Sequence, residues 1–237
     1  MLGGRALGKF MLSQTTNFMI TPDLSKKVPF PPRTNSNSAD SFEMIGASMS
    51  FVRNAEIYGE NEPAEYLYKL VSGSVRTSTI LADGRRQIGA FYLPGDIFGL
   101  EVGSEHASAA EAITDAEVIV VKRSAVEALA ARDSEVARQL RAMTGRELQR
   151  MQQHILLLIK SAKERVAGFL LEMAGRIKCN NEIELPMSRQ DIADYLGLTI
   201  ETVSRTLRTL ENGAAIALPT SRRIVLRNRT ALCRLNA

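Results

Sequence analysis

The stretch SRQDIADYLGLTIETVSRTLRTL, from Ser188 to Leu210, decides the fold of the C-terminal part of the chain. Ile192 and Leu196 are four residues apart, so a first helix places both on one face. Ala193 is small and allows a second helix to cross closely. Gly197 follows where the first helix ends, and a sharp turn there needs the positive φ that glycine adopts without steric cost.

A second helix follows this turn. Leu198 can fill the gap between the two helices, and Thr199 is a good N-cap for the second one. Val203, Leu207 and Leu210 are spaced by four and three residues, so they form a buried stripe. Two short helices joined by a tight turn predict a helix-turn-helix.

The opposite face of the second helix carries side chains suited to the edges of DNA base pairs. Arginine donates two hydrogen bonds to guanine, glutamate accepts one from cytosine, and serine pairs with several edges. A recognition helix makes such contacts near its N-terminal end. A solvated charged face is the alternative, but the first helix, the turn and the cap together favour DNA binding. The predicted base contacts are Glu201, Ser204 and Arg205, with Ile200 as an apolar contact to a thymine methyl group.

The spacing E-x-x-S-R of Glu201, Ser204 and Arg205 resembles the FNR/FixK branch of the CRP/FNR superfamily of transcription regulators. The run DIADYLGLTIETVSR, Asp191 to Arg205, is similar to rhizobial-type FixK activators. The resemblance covers most of the chain from about Ser41 onward. It implies a homodimer in which these three side chains read an inverted repeat of TTGA-like half-sites on double-stranded DNA.

The resemblance also implies transcription activation through recruitment of RNA polymerase. The loop from Gly103 to His106 is a candidate polymerase contact, and an ordinary surface loop is the alternative. Regulators of this type often act without a small-molecule effector and are controlled through their own synthesis. A ligand-dependent regulator of the same fold, which senses an unidentified small molecule, remains the rival interpretation.

The N-terminal half divides into an arm and a β-rich domain. Residues 1–39 hold four prolines and a Ser/Asn run, which predicts a flexible arm. Residues 40–133 hold short alternating runs separated by turns such as Asp83-Gly84. PGDIFGLE, Pro94 to Glu101, resembles the sensor domain of the superfamily. The predicted fold class is therefore α+β, with an N-terminal β-roll (double-stranded, jelly-roll-like), a long dimerisation helix and a C-terminal winged helix-turn-helix.

The dimerisation helix is predicted over residues 134–162. Its apolar residues alternate three and four apart, as in the seam between two packed helices. A core helix of a monomer is the alternative, and the dimer is favoured because a palindromic site needs a two-fold protein. The predicted seam is Leu148, Met151, Ile155 and Leu158.

Residues 163–237 are predicted to form the winged helix-turn-helix. The run IALPTSRRIVL, Ile216 to Leu226, predicts a two-stranded wing with its tip at residues 219–221. Arginines near that tip suit phosphate contacts, although solvated surface arginines are an equal alternative. The predicted phosphate contacts are Arg189, Thr199, Arg208, Arg222 and Arg223.

Composition is that of an ordinary globular protein, with 45% hydrophobic and 24% charged residues. The net charge of +4 is a mild excess, but residues 188–229 hold seven arginines, no lysine and four carboxylates. This local excess suits a surface that follows phosphates. No apolar run is long enough for a bilayer, and two cysteines do not suggest a disulfide framework, so a cytoplasmic location without membrane contact is expected.

The chain lacks the residues that known cofactors and effectors of the superfamily require. Where cyclic-nucleotide binders carry Gly-Glu and Arg-Ser pairs, this chain carries Gly99-Leu100 and His106-Ala107. An iron–sulfur cluster needs four cysteines, and none precedes Cys179. His106 and His154 are far apart in the sequence and are expected to be structural rather than metal ligands. We therefore predict no cofactor, no metal and no enzymatic activity; a β-barrel enzyme with a basic appendage would need clustered catalytic residues that are missing.

Ser188 leads the first helix, and S-x-x-D to Asp191 matches a capping box. Some FixK-like sequences carry a cysteine here, whose oxidation to a charged species would repel DNA phosphate. Ser188 is thus a candidate redox-regulatory position, occupied here by a redox-insensitive residue of natural or engineered origin.

Overall fold

The structure, a computed structural model, describes residues 45–177 and 181–236. The predicted arm at 1–39 and Cys179 lie outside the described residues. No helix among the described residues is both long and apolar enough to cross a membrane.

The first domain consists of two antiparallel sheets, as the predicted β-roll requires. One sheet has the strand order β1-β8-β3-β6 and the other has the order β2-β7-β4-β5. The strands are β1 Ala47–Phe51, β2 Glu56–Tyr58, β3 Tyr66–Ser72, β4 Val75–Ile80, β5 Arg86–Tyr92, β6 Ile97–Phe98, β7 Ala109–Ala112 and β8 Ala116–Lys122.

An aromatic cluster lies between the two sheets. Tyr68 and Phe98 stack with ring centroids 5.1 Å apart, and Tyr92 lies at the same distance from Phe98. Strands β4 and β5 pair from Val75–Tyr92 to Ile80–Arg86, which confirms the hairpin predicted at Asp83-Gly84. The β-roll therefore has its own core, built by inward-facing residues of both sheets.

Three helices continue the chain: α1 Arg123–Ala130, α2 Ser134–Leu158 and α3 Ala162–Arg176. Asp133 caps α2 by accepting a hydrogen bond from the Glu135 backbone N–H at 2.8 Å. Ser161 starts α3 with a capping box to Glu164. The helical signal that runs on through residue 161 in the sequence is thus divided, because a serine three residues before a glutamate begins a new helix.

The C-terminal elements are β9 Glu182–Glu184, α4 Arg189–Leu196, α5 Ile200–Asn212, β10 Ile216–Ala217, β11 Arg223–Leu226 and α6 Arg229–Asn236. They form the predicted winged helix-turn-helix, but the wing sheet has three strands in the order β10-β11-β9. The prediction of a two-stranded wing was therefore incomplete. The missing strand, β9, has three residues, and its one apolar residue, Ile183, pairs with Ile224 of β11. So short a strand leaves no periodic signal.

A separate hydrophobic cluster joins the two domains. Phe169 and Leu207 of the helical domain belong to the same buried cluster as Ile88 and Phe91 of the β-roll. The rings of Phe91 and Tyr195 lie 5.1 Å apart across this junction. The helix-turn-helix therefore packs directly on the β4–β5 sheet, which the sequence did not predict.

His154 of α2 lies at the same junction. Its ring stacks on Tyr195 with centroids 3.9 Å apart, and its Nε2 lies 2.8 Å from the Tyr195 carbonyl oxygen. A carbonyl only accepts, so Nε2 carries the proton. Burial of the imidazole lowers the pKa of His154, although the hydrogen bond to Tyr195 opposes the shift. The expected structural role of this histidine agrees with the contact.

His154 should make the stability of the protein depend on pH. Because its pKa is lower in the folded state than in the unfolded chain, where it is about 6.5, the unfolded state binds more protons in mildly acidic solution. The free energy of unfolding should fall as pH decreases from about 7 towards 5. Urea unfolding of His154→Gln, which keeps an N–H donor without titrating, should show a smaller fall over this range; an equal fall would contradict the assignment.

Candidate DNA-binding interface

The first turn of α4 is closed by the predicted capping box. The hydroxyl of Ser188 accepts a hydrogen bond from the Asp191 backbone N–H at 3.1 Å. In return, Asp191 Oδ2 accepts from the Ser188 backbone N–H at 2.9 Å and from the Ser188 hydroxyl at 2.8 Å. This reciprocal pairing satisfies backbone donors that a helix start otherwise leaves free.

The turn after α4 has the predicted glycine in the left-handed region. Gly197 has a φ of 61°, and its backbone N–H donates to the Ala193 carbonyl. Arg165 Nη1 of α3 donates a hydrogen bond to the Leu196 carbonyl at 2.8 Å and so ties the turn to α3. Ala193 is fully buried, as expected where two helices cross closely. Leu198 is half-buried against the core, which agrees with its predicted position between the two helices.

The recognition helix α5 begins at a side-chain cap. Thr199 Oγ1 accepts a hydrogen bond from the Thr202 backbone N–H at 3.2 Å. Val203, Leu207 and Leu210 are buried, as their spacing predicts. With this stripe fixed inward, the opposite face of α5 must point to solvent.

The four predicted base-contacting side chains share that outer face. Ile200, Glu201 and Arg205 are exposed, and Ser204 is half-buried. The backbone N–H of Glu201, its contact with Thr199 and the charge of Arg205 lower the pKa of Glu201. The carboxylate is therefore ionised at neutral pH and acts as an acceptor.

Two predicted phosphate contacts lie close to each other. Burial lowers the pKa of Arg189, and the nearby charge of Arg208 lowers it further, against the attraction of Glu211. Within residues 45–177 and 181–236, neither Arg205 nor Arg208 forms an ion pair. An anion placed beside Arg189 and Arg208 would relieve the repulsion between these two guanidinium groups.

The wing tip is organised by a residue that the sequence reading did not single out. Thr220 Oγ1 accepts hydrogen bonds from the backbone N–H groups of Arg222 and Arg223 at 3.3 and 3.0 Å. The Arg223 guanidinium pairs with Glu182 of β9. It must leave this carboxylate to reach a phosphate, whereas Arg222 forms no ion pair among the described residues.

The predicted dimer seam lies mostly on the surface of the protomer. Leu148, Met151 and Ile155 are exposed by 57%, 57% and 62%. Leu158 is half-buried, with its Cδ2 directed towards Gly197 of the turn. Three of the four residues thus form an exposed apolar stripe on α2, and the fourth also packs within its own protomer.

A cavity of about 420 Å³ lies between the β-roll and α2. Its lining includes Leu100 and Ala107, the positions where cyclic-nucleotide binders carry charged and polar residues. Glu101 and Glu147 add two carboxylates, and the lining contains no lysine or arginine. His106 is buried beside it, and its ring stacks on Tyr58 at 3.6 Å. A phosphate has no cationic partner in this cavity.

Two arginines of the β-roll form ion pairs with α4, and the sequence did not predict a role for either of them. Arg76 and Arg86 form ion pairs with Asp191 at 3.0 and 2.7 Å. Their partners are 115 and 105 residues away in the chain. No local pattern indicates a contact over such a separation.

Two family models match this architecture. Residues 48–133 match the cyclic nucleotide-binding domain, and residues 164–235 match the Crp-like helix-turn-helix domain. The chain is 51% identical over 199 residues to the nitrogen fixation regulation protein FixK of Azorhizobium caulinodans, covering 81% of this chain and 80% of that protein. It is 42% identical to FixK of Rhizobium meliloti, over 75% of this chain and 81% of that one.

A solved structure agrees with these matches. FixK2 from Bradyrhizobium japonicum superposes with a TM-score of 0.78 at 54% identity, covering 81% of this chain and 98% of that chain. Sequence and fold therefore agree, and the chain belongs to the CRP/FNR superfamily as a FixK-type transcription regulator with a DNA-binding helix-turn-helix.

Proposed function

We propose that this regulator binds a TTGA-type inverted repeat as a homodimer and activates transcription by recruiting RNA polymerase, without a small-molecule effector. The observation that carries the proposal is the exposed face of α5. Glu201, Ser204 and Arg205 share that face at its N-terminal end, while the opposite face is buried. The N-terminal end is the part of a recognition helix that reaches base edges in the major groove.

Each side chain has a chemical task in this proposal. Arg205 donates two hydrogen bonds to the guanine of the half-site, and the ionised Glu201 accepts from the paired cytosine. Ser204 contacts the neighbouring base, and Ile200 contacts a thymine methyl group. Arg189, Thr199, Arg208, Arg222 and Arg223 contact phosphates, which supply affinity rather than sequence preference.

The exposed stripe on α2 supports the homodimer. An apolar row this long on a surface helix is costly in water and is covered when two copies of the helix pack. A two-fold dimer places its recognition helices in successive major grooves, roughly 34 Å apart. The inverted repeat follows from this symmetry.

Arg205 and Arg208 offer a matched pair of substitutions on one helix. Arg205→Ala should weaken binding to the cognate duplex by about 1–3 kcal/mol and relax the preference for guanine. Arg208→Ala should weaken binding to all sequences alike and reduce the slope of log K against log[salt] by about one. Fluorescence anisotropy with cognate and guanine-substituted duplexes at several salt concentrations distinguishes the two.

The reverse result is also informative. If Arg205→Ala weakened binding to every duplex equally, Arg205 would contact phosphate and the base assignment would be wrong. Run-off transcription with purified RNA polymerase on the same DNA tests activation separately, since a regulator that binds without raising transcript yield would not be an activator on that site.

A charged substitution in the centre of the predicted seam tests whether α2 forms the dimer interface. Ile155→Glu places two carboxylates face to face in a dimer, so sedimentation should show a shift to monomer and a loss of affinity for the inverted repeat. Gln149→Glu adds the same charge on an exposed position outside the seam and should leave the dimer intact. A dimer that survives Ile155→Glu would place the interface elsewhere.

The cavity beside α2 favours a second candidate function, a ligand-dependent regulator. Its lining suits an apolar molecule without a phosphate group, because the charged residues of the lining are two glutamates and it contains no lysine or arginine. Cyclic AMP or cyclic GMP at about 100 times a micromolar dissociation constant would stabilise a binder by about 2.7 kcal/mol. Because both nucleotides are anions, we expect neither to raise the melting temperature; a rise of several degrees would show that the protein binds a cyclic nucleotide and would favour the ligand-dependent function.

A further inference from the structure

Two arginines of the β-roll lie between three carboxylates at the junction with α4. Arg76 Nη2 pairs with Glu111 at 2.7 Å, and its Nη1 pairs with Asp191 at 3.0 Å. Arg86 Nη2 pairs with Asp191 Oδ1 at 2.7 Å, and its Nε donates to Asp194 Oδ2 at 2.8 Å. Both arginines thus connect strands β4 and β5 to the first helix of the helix-turn-helix.

Asp191 connects this ion-pair cluster to the helix itself. Its Oδ2 belongs to the capping box with Ser188, and its Oδ1 accepts from both arginines. The residue is only 4% exposed. Burial alone would raise the pKa of Asp191, but the hydrogen bonds from Ser188 and the charges of Arg76 and Arg86 outweigh it and hold the pKa low. The carboxylate is therefore charged while all its partners are in place.

A second contact fixes the far end of α4. The Tyr195 carbonyl accepts from Gln87 Nε2 of β5 at 3.3 Å and from His154 Nε2 of α2 at 2.8 Å. The helix is therefore held at its first turn by the ion pairs and at its last turn by these two donors. A helix fixed at two points cannot rotate about the β-roll without breaking one set.

We propose that Arg76 and Arg86 are positioning residues for DNA recognition, which clamp α4 to the β-roll and thereby fix the spacing of half-sites that the dimer accepts. Recognition helix α5 follows α4 through the packed turn at Gly197, so the orientation of α4 sets that of α5. In a dimer joined through α2, the distance between the two α5 helices is then fixed only while the contacts of Arg76 and Arg86 with α4, the clamp, remain in place. This inference rests on the proposed binding to an inverted repeat.

The alternative role of these ion pairs is stability alone. Loss of one partner leaves a buried charge unpaired, which destabilises any protein. Such a loss reduces the folded fraction and weakens binding equally at every half-site spacing. A lost clamp has a different signature, because a freely oriented helix-turn-helix tolerates spacings that the clamped one rejects.

The experiment compares full-length wild type with Arg86→Met, which keeps the aliphatic stem and removes the guanidinium. The matched control is Arg85→Met, since among the described residues Arg85 forms its ion pair with Asp83 alone, on the exposed hairpin and outside the clamp. The probes are duplexes with two TTGA-type half-sites at the native spacing and with one or two base pairs inserted at the centre. Melting temperature and sedimentation are measured on the same samples.

We expect wild type and Arg85→Met to prefer the native spacing by at least about tenfold, a small part of the roughly 10³–10⁷ by which specific binding exceeds non-specific binding. Arg86→Met should remain a dimer and bind all three spacings within about threefold of one another. Asp194→Asn, which weakens one of the two ion pairs of Arg86 and leaves the capping box intact, should give a smaller loss of preference in the same direction. The double variant should add little to Arg86→Met, because Arg86→Met already removes the pair with Asp194.

Three outcomes would overturn the inference, and each is distinguishable. Wild type that binds none of the duplexes would remove the proposed function and this inference with it. Arg86→Met and Asp194→Asn that bind with the full native preference would overturn the clamp alone. Affinity that falls by one common factor at every spacing, with a lower melting temperature, would leave the arginines with a stabilising role only.

Discussion

The arrangement of the two domains depends on the contacts of one buried carboxylate, that of Asp191. One oxygen closes the first turn of α4 through Ser188, and the other binds Arg76 and Arg86 of the β-roll. Because the group is buried, its charge is stable only while these partners remain. Local helix formation and domain docking are therefore coupled through a single side chain, and neither oxygen can lose its partners without cost to the other.

Several arginines inside the molecule bind carboxylates: Arg150 and Arg176 both pair with Asp96, as Arg76 and Arg86 pair with Asp191. Arg205 and Arg208 on the recognition helix form no ion pair among the described residues. A guanidinium without an ion pair keeps its charge available for a phosphate or a base, as the proposed contacts of Arg205 and Arg208 require.

The helix-turn-helix could be predicted from the sequence because its determinants are local. The capping box at Ser188, the left-handed Gly197 and the stripe through Leu207 each depend on residues within a few positions of one another. The third wing strand was not predictable from three residues around Ile183. The pairing of Arg86 with Asp194 was equally hidden, since neither residue carries a local mark of a partner 108 positions away.

The same contacts explain how a sensor domain can be retained where no effector acts, as we propose. Ile88 and Phe91 of the β-roll belong to the core of the helix-turn-helix, so removing the domain would expose that core. In the cavity beside α2, the Glu147 carboxylate accepts a hydrogen bond from the Tyr92 hydroxyl at 2.9 Å, which ties α2 to the β-roll without a ligand. These internal contacts hold α2, the β-roll and α4 in one arrangement. On this argument the β-roll is kept as a platform that orients the recognition helix.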